Sequence, residues 1–270
     1  MMNKRIGIFF PIAILVTGCL YPYRLEVPET RTWPAEGISS ISASTKNGGI
    51  TVCAAEEPNI TAHITKRCYG RNKEDAEKYL KNVVIKDTII SGQLSINTEM
   101  PSGNRNYGAE FEISSPESTH LDLSTTNTEI SLTNMTAGAN LSTSNNAVSL
   151  KNTQGQINIS TSNGKVLVQV HHGGIEARTS NGEIDCDIAK LDATESIILE
   201  TSNDKVLLRL PQDVSATFDL TTSNGEITVT GFNSIRYDTQ ERTHKTGTIG
   251  SGASTITIST SNGDIIICAR

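Results

Sequence analysis

Apolar residues recur in pairs spaced by two along most of this chain, and each pair keeps a fixed distance from an asparagine. Ile157 and Ile159 precede Asn163, and Val166 and Val168 follow it. A spacing of two places both members of a pair on one face of a β-strand, while the polar residue between them lies on the opposite face. Each unit therefore predicts two short strands joined by a turn.

This two-strand unit returns at a nearly fixed period. Three successive intervals between the turn asparagines are 18 residues, the next two are 22 and 21 residues, and a threonine stands two positions before each asparagine. A regular period of about 20 residues is typical of an architecture of stacked coils. The eight asparagines are Asn47, Asn127, Asn145, Asn163, Asn181, Asn203, Asn224 and Asn262.

Two arrangements of these strands fit the pattern. The dipeptide Asn163-Gly164 tolerates positive φ and is a strong hairpin signal, so a meander of antiparallel hairpins is one interpretation. Parallel stacking of coils is favoured, because it explains why like residues return at like positions. We therefore predict an all-β fold, a right-handed β-solenoid of about 18–22 residues per coil. Its turn is expected to carry a hydrogen-bonded ladder of Asn127, Asn145, Asn163, Asn181, Asn203, Asn224 and Asn262.

The chain begins with the features of an export signal. Two basic residues precede a mostly apolar run over residues 6–16, which is too short for a membrane span. The next residues, Val16-Thr17-Gly18-Cys19, resemble the cleavage box of bacterial lipoproteins, in which the cysteine becomes the new amino terminus and carries lipid. We expect lipidation of Cys19 and anchoring in the cell envelope. Leu20 replaces the Asp that signals inner-membrane retention in enteric lipoproteins, which favours the outer membrane or cell surface.

Between the signal and the regular repeats the pattern changes. Three prolines within residues 19–37 predict an extended tether. Strands follow, with one helix predicted over residues 72–83 and Asn72 as its N-cap. The predicted segments are a signal peptide (1–18), a tether (19–37) and a solenoid domain (38–270), which divides into N-terminal strands with the helix (38–118) and repeat coils (119–270).

Composition narrows the classes of partner. The net charge is −6 at pH 7, and lysine and arginine are scattered, without a basic stripe or interleaved aromatic residues. That distribution excludes the usual nucleic-acid-binding surfaces. Aromatic residues make up 4% of the chain, which suits a thin core of Ile, Val and Leu. The expected partners are therefore the membrane, through the N-terminal lipid, and a glycan or envelope protein.

Four cysteines remain once Cys19 is assigned to lipid. In an exported protein an even number permits disulfides, with three possible connectivities. Cys186 lies at an inward position and is expected to be a buried thiol. Cys53 and Cys268 share the same outward position of the first and last units, and Cys53–Cys68 is the pairing that we favour.

The sequence predicts neither a metal site nor a cofactor. His171-His172 has no third ligand at a diagnostic spacing and is interpreted as an exposed turn. An acidic residue directly follows the turn asparagine once, at Asp204, which disfavours calcium coils rich in carboxylates.

Catalysis also has little support in the sequence. Gly-x-Ser-x-Gly, His-Glu-x-x-His and phosphate-binding motifs do not occur. Glu183, Asp185 and Asp187 could supply paired carboxylates, but they alternate along one predicted strand and are interpreted as its solvated face. We therefore predict a protein that is not an enzyme.

The end of the chain departs from the regular coils. Gly231–Gly252 is a polar insertion that is interpreted as an exposed loop. The unit around Asn262 is expected to end the stack, which would leave an open strand edge that another segment should cover.

Several late units resemble a known family. Thr222-Ser223-Asn224-Gly225-Glu226-Ile227-Thr228-Val229, then a glycine-rich stretch at 247–252, then Ser261-Asn262-Gly263-Asp264-Ile265, are similar to the bacterial family of unknown function labelled "putative adhesin". The resemblance covers about residues 38–270 and implies an exported or surface β-solenoid. Asn127-Thr128 and Asn145-Asn146 depart from its Asn-Gly turns.

These observations lead to one functional interpretation and two alternatives. The first is a lipid-anchored, non-catalytic adhesion, scaffold or binding protein of the cell envelope. The second is an envelope-stress or signalling accessory that binds a partner protein. The third is a carbohydrate-active enzyme built on a β-helix.

Overall fold

A computed structural model of the protein describes residues 21–100 and 106–270, together with the backbone of residues 12–15. The described part is nearly all β, with one short helix, as predicted. It divides into two compact units, Met1–Ser131 (unit 1) and Leu132–Arg270 (unit 2). The elements are β1 (Ile12–Leu15), β2 (Tyr23–Pro34), β3 (Ser40–Ser44), β4 (Ile50–Ala54), β5 (Asn59–Gly70), α1 (Lys73–Leu80), β6 (Val84–Ile90), β7 (Gln93–Glu99), β8 (Tyr107–Ser115), β9 (His120–Ser124), β10 (Ile130–Thr133), β11 (Ala139–Ser142), β12 (Val148–Gln154), β13 (Ile157–Ser160), β14 (Val166–His172), β15 (Ile175–Arg178), β16 (Ile184–Lys190), β17 (Ser196–Glu200), β18 (Val206–Leu210), β19 (Ala216–Thr222), β20 (Ile227–Thr230), β21 (Ile235–Gln240), β22 (His244–Ile249), β23 (Ser254–Thr260) and β24 (Ile265–Ala269).

Unit 1 contains strands from two sheets. Sheet 1A has the order β1-β2-β5-β8-β4, in which β4 and β8 are parallel and the other neighbours are antiparallel. Sheet 1B has the order β9-β3-β7-β6, in which β6 is antiparallel to β7 and the other neighbours are parallel. Strand β6 is therefore the outer strand of sheet 1B, a position that matters below.

The prediction of an extended tether over residues 19–37 is wrong for most of its length. Strand β2 pairs with β5 along all 12 of its residues, and Leu25 and Trp33 are buried at 2% exposure each. Pro28 misled the interpretation, because proline suits a tether but is also tolerated on an edge strand, where its missing N–H faces outward. Strand β1 pairs with β2 as far as Glu26, so Pro28 lies beyond that pairing.

The predicted helix is confirmed. Helix α1 begins after Asn72, whose Oδ1 accepts a hydrogen bond from the Asp75 backbone N–H at 2.9 Å. Ala76 and Leu80 are buried, and the helix packs on β5 and β2. Gly70 permits the close approach, since a Cβ there would lie 2.5 Å from the Ala76 nitrogen.

Unit 2 is a stack of parallel coils, which confirms the solenoid interpretation over the antiparallel meander. Sheet 2A has the order β12-β14-β16-β18-β24-β20, and sheet 2B has the order β11-β13-β15-β17-β23-β19-β22-β21. Like residues stand on like residues, as in the column Leu141–Ile159–Ala177. A second column of almost completely buried side chains runs through Val148, Val166, Ile184, Val206, Ile265 and Ile227.

The order of the last three coils differs from the order of the chain. Strand β24 lies between β18 and β20, and Ile265 is paired with both Val206 and Ile227. Strand β23 lies between β17 and β19 in the same way. The final unit therefore does not end the stack as expected, and the coil formed by β19 and β20 is the outer one.

The interpretation of Gly231–Gly252 as an exposed loop is also wrong. Its residues form the antiparallel hairpin β21–β22, and β22 pairs with β19 on the side away from β23. Side chains from the hairpin region bind the edge carbonyls of the neighbouring turn and β20: Lys245 Nζ donates to Ile227 O at 2.6 Å, and Arg242 Nη1 donates to Gly225 O at 2.5 Å. The hairpin thus covers both strands of the outer coil, as stacked repeats require of a terminal cap.

Candidate interaction surfaces

The turn asparagines of unit 2 form a ladder of side-chain amides on an exposed edge. Asn163 Nδ2 donates to Asn145 Oδ1 at 3.0 Å. In each following coil of the stack, the Nδ2 of the turn asparagine donates in the same way to the Oδ1 of the asparagine in the preceding coil, at 2.7–2.8 Å. In unit 1, Asn127 Nδ2 donates to Asn47 Oδ1 at 2.6 Å. The ladder of unit 2 rises through Asn145, Asn163, Asn181, Asn203, Asn262 and Asn224, which is the spatial order of the coils.

The threonine and glycine that flank these asparagines fix the turn from inside. Thr179 is buried; its hydroxyl donates to Gly164 O and accepts from the Gly182 N–H, both at 3.2 Å. A Cβ on Gly182 would lie 1.9 Å from Gly164 O. The expectation that these glycines provide positive φ is wrong, because the positive-φ positions of the described chain fall at other turns. Close stacking of one coil on the next is what requires glycine here.

Positive φ recurs instead at a second position of the first coils of unit 2, at Asn134 after β10 and inside strands β12 and β14. Asn134, Asn152 and Val170 have φ of 61°, 53° and 58° at intervals of 18 residues, and Asn152 Nδ2 donates to Asn134 Oδ1 at 3.1 Å. This shorter ladder was not predicted, although the same 18-residue interval separates its two asparagines. Val170 is strained there, since a β-branched residue strongly disfavours the left-handed region.

The clustered carboxylates of β16 and the preceding turn are bound to cations of neighbouring coils. Arg209 Nη1 lies 2.6 Å from Asp185 Oδ1, and Glu183 is contacted by lysines on both sides. Such partly exposed pairs contribute little stability each. They are Lys165–Glu183, Lys205–Glu183, Arg209–Asp185 and Arg270–Asp187.

Hydroxyl side chains dominate the outer face of sheet 2B near its capped end. Strands β23, β19 and β22 lie side by side in register there, so their outward residues form three rows of three. Asp219 occupies the centre, and His244 Nε2 lies 3.2 Å from Asp219 Oδ1. Rows on neighbouring strands are about 4.8 Å apart, and alternate residues along a strand about 6.7 Å apart. We call this surface the hydroxyl face; its other members are Thr217, Thr221, Thr246, Thr248, Thr255, Thr257 and Ser259.

The interpretation of His171-His172 as an exposed turn is wrong for His171. A bulge at Val170 turns the imidazole into the core, where it is completely buried. Its Nδ1 lies 3.0 Å from Thr153 Oγ1, and its Nε2 lies 3.3 Å from Gly174 O. Burial lowers the pKa of His171 below its usual value, so the ring is neutral at neutral pH.

The predicted Cys53–Cys68 disulfide is also wrong. Cys53 is paired with Ser114 of β8, whereas Cys68 is paired with Tyr107, seven residues away on the same strand. Seven residues of strand span about 23 Å, far beyond the Cα separation of a disulfide. Cys53 is an exposed thiol. Cys186 is completely buried, and burial raises the pKa of its thiol.

Three other features of the described chain bear on possible sites. No group of three His, Cys, Asp or Glu residues within it could hold a metal ion, and none of its helices is long and apolar enough to cross a membrane. A shallow groove of about 280 Å³ lies beside α1, lined by Leu25, Val27, Lys66, Glu77, Leu80 and Lys81. Cys19, the predicted lipidation site, lies outside the described residues.

The repeated coils with their Thr-Ser-Asn-Gly turns lie within the range of one family model. The family model described as Toastrack DUF4097 matches residues 32–268. The chain belongs to this family. The match extends over both units and confirms the family resemblance drawn from the late repeats. None of the curated proteins compared with the chain matches it.

Two crystal structures are similar to this chain at low identity. One is described as a "putative cell adhesion protein" from Clostridium sporogenes, with 14% identity, 91% of this chain and 100% of that chain covered, and a TM-score of 0.38. The other is described as a "putative adhesin" from Bacteroides fragilis, with 12% identity, 89% and 96% coverage, and a TM-score of 0.39. At this level the similarity carries no functional inference.

Proposed function

We propose that this chain is a lipid-anchored protein of the cell envelope, at the outer membrane or cell surface, whose solenoid is a non-catalytic binding or scaffold surface. The hydroxyl face is the observation that carries the proposal. Its regular rows present many weak donors and acceptors. Such a surface suits an extended polar partner, a glycan chain or an envelope protein, that makes many similar contacts.

The N-terminal strand supports the anchoring part of the proposal. Cleavage before Cys19 would remove β1, whose pairing with β2 covers Tyr23–Glu26. Strand β2 would then stand at the edge of sheet 1A. It carries Pro28 and several charged residues, which are the usual protections of a natural edge strand.

Binding is tested by removing the hydroxyl groups without changing shape. The triple variant Thr217→Val, Thr255→Val and Thr257→Val keeps β-branched side chains at three exposed positions. Glycan arrays and pull-down from envelope extracts are expected to show a loss of about tenfold or more in affinity, equivalent to about 1.4 kcal/mol. The double variant Thr228→Val and Thr230→Val, on the outer face of β20, serves as the control. Equal binding by all three proteins would contradict the proposal.

Anchoring and catalysis need separate tests. Cys19→Ser is expected to abolish labelling by a tagged fatty acid and to release the protein from membranes; labelling that persists would contradict lipidation at Cys19. For catalysis, glycan turnover that disappears in Asp185→Asn would favour the carbohydrate-active enzyme instead, because Asp185 would then act chemically and not as the partner of Arg209.

A further inference from the structure

The most exposed large apolar side chains of the described residues all lie on one strand. Val84 and Ile89 are 43% exposed and Ile90 is 70% exposed, and all three belong to β6. This strand is the outer strand of sheet 1B. Exposed apolar residues on an outer strand indicate a pairing surface, because the backbone of such a strand is itself a template for another strand.

The hairpin geometry shows which backbone groups of β6 point outward. Strands β6 and β7 are joined by Ser91-Gly92, with φ of 49° and 79°, as in a two-residue type I′ turn. In such a hairpin the flanking residues, here Ile90 and Gln93, form a hydrogen-bonded pair. Residues 85, 87 and 89 then direct their backbone groups away from β7. Arg31 Nη1 donates to Ile85 O at 3.1 Å, so this carbonyl points away from β7 and already accepts one hydrogen bond. A backbone carbonyl oxygen has two lone pairs, so Ile85 O can accept a second hydrogen bond from another strand.

Of the usual protections of an edge, strand β6 has two charged residues, Lys86 and Asp87, and each is bound within its own unit. It contains neither proline nor glycine, and its single lysine, Lys86, is bound to Glu99 at 2.7 Å. Strand β2, in contrast, carries prolines and charges. A seven-residue strand with four apolar residues and no net charge favours strand addition.

We propose that β6 is a homodimer interface in which two copies of this chain pair antiparallel about a two-fold axis at Asp87. In this register Val84 lies opposite Ile90 of the second copy, Ile85 opposite Ile89, and Lys86 opposite Thr88. Apolar residues meet at both ends of the pair. An isologous contact of this kind closes on itself and forms a discrete dimer.

The sequence of β6 selects this register and this partner. A shift that centres the axis on Lys86 sets two lysines opposite each other. A shift that centres it on Thr88 leaves Val84 outside the pair and places Lys86 opposite Ile90. An odd shift opposes outward-facing with inward-facing backbone groups. Pairing about Asp87 uses all seven residues and sets apolar residues opposite apolar residues at both ends, so β6 is complementary to a second copy of itself.

The two aspartates at the axis do not prevent this pairing. Asp87 is held by unit 1 itself, since Arg31 Nη1 lies 2.5 Å from Oδ1 and Trp33 Nε1 donates to Oδ2 at 3.0 Å. Its charge is therefore compensated within each copy. Like charges placed opposite one another would otherwise disfavour the register.

Sedimentation equilibrium of the full chain in density-matched detergent tests the dimer. Ile89→Pro removes an outward N–H without removing a β6–β7 hydrogen bond, and Ile90→Lys places a charge in the apolar end. Each variant is expected to raise the dissociation constant about tenfold or more. Thr228→Lys, which adds the same charge to β20 of unit 2, is expected to leave it unchanged. The proposal would be overturned if the wild-type chain stays monomeric at about 100 μM, a concentration at which a dimer with a micromolar dissociation constant is largely formed. A dimer that both β6 variants leave intact would also overturn it.

Mixed disulfide trapping tests the register. Lys86→Cys and Thr88→Cys are made separately, each with Cys53→Ser and Cys268→Ser to remove accessible thiols. The mixture is expected to give a cross-linked dimer in greater yield than either variant alone, because residues 86 and 88 face each other across the axis. Equal yields from the mixture and from the single variants would exclude pairing about Asp87.

Discussion

Disulfide trapping can decide whether the last coil of the chain lies inside the stack. Thr257 of β23 is paired with Ile198 of β17 on one side and with Asp219 of β19 on the other. All three side chains point outward, so cysteine at these positions leaves the core intact. We expect Ile198→Cys with Thr257→Cys to form a disulfide, and Ile198→Cys with Asp219→Cys to remain reduced.

The distances and the loop length give the size of the effect. Neighbouring strands lie about 4.8 Å apart and strands one further on about 9.6 Å, whereas a disulfide needs Cα atoms within about 7 Å. The first pair closes a loop of 59 residues (257 − 198). A loop of that length is expected to stabilise the folded chain by about 4 kcal/mol, less any strain of the bridge.

The assay uses a chain in which Cys19, Cys53 and Cys268 are replaced by Ser. Non-reducing electrophoresis and peptide mass mapping identify the bridge, and urea unfolding with and without reductant measures its contribution. If the Ile198–Asp219 pair forms a disulfide and the Ile198–Thr257 pair does not, the coils follow the order of the chain, and the inserted position of β23 and β24 is wrong.

Three further predictions concern single positions in the coils. Val170→Asn is expected to raise the free energy of unfolding by about 1 kcal/mol, because it relieves a left-handed β-branched residue and extends the Asn134–Asn152 pair. Leu167→Asn, at a position without positive φ, is the control. If Val170→Asn lowers the stability measured by urea unfolding, the argument is refuted. Gly182→Ala is expected to cost about 2 kcal/mol or more, since its Cβ would meet Gly164 O at 1.9 Å, whereas Gly49→Ala, with its nearest atom at 3.5 Å, should be near neutral. The pKa of His171 is lowered on folding, so the unfolded chain binds more protons below pH 6.5 and stability should fall as the pH drops from there to the folded pKa. In pH-dependent urea unfolding, His171→Leu should remove this dependence of stability on pH, and His172→Gln should retain it. An unchanged pH dependence in His171→Leu would exclude the effect.

The repeating core could be predicted from the sequence because its buried residues alternate strictly with polar residues along each strand. Positions such as Ile159 and Val166 alternate with polar neighbours, and their return after 18 residues predicts that they stack. Helix α1 was readable for a similar local reason, its N-cap at Asn72. Strand β2 was not, because prolines and charges at an edge strand have the same composition as a tether.

The surfaces were harder to predict than the core. The acidic run at Glu183 showed that one face of its strand is polar, but its partners lie one coil away, and which cation stands opposite depends on register. The burial of His171 was not predicted, because the bulge at Val170 shifts the alternation of inward and outward side chains along β14 by one residue. No local sequence pattern indicates this bulge. The hydroxyl face combines three strands whose spatial order differs from their chain order, so no sequence window contains it.

The order of the last coils has a physical cause that the repeat pattern alone does not express. Columns of Ile, Val and Leu accept any coil above any other, so the buried rows do not rank the coils around Asn203, Asn224 and Asn262. The interval of 38 residues between Asn224 and Asn262 is longer than a coil needs and leaves room for the hairpin β21–β22. Once this hairpin covers the outer edge of β19, the last two strands have one open position left, the edge of the coil formed by β17 and β18. The position of β23 and β24 in the stack therefore depends on which strand edges are already covered, and not on how well the buried residues of one coil match those of the next.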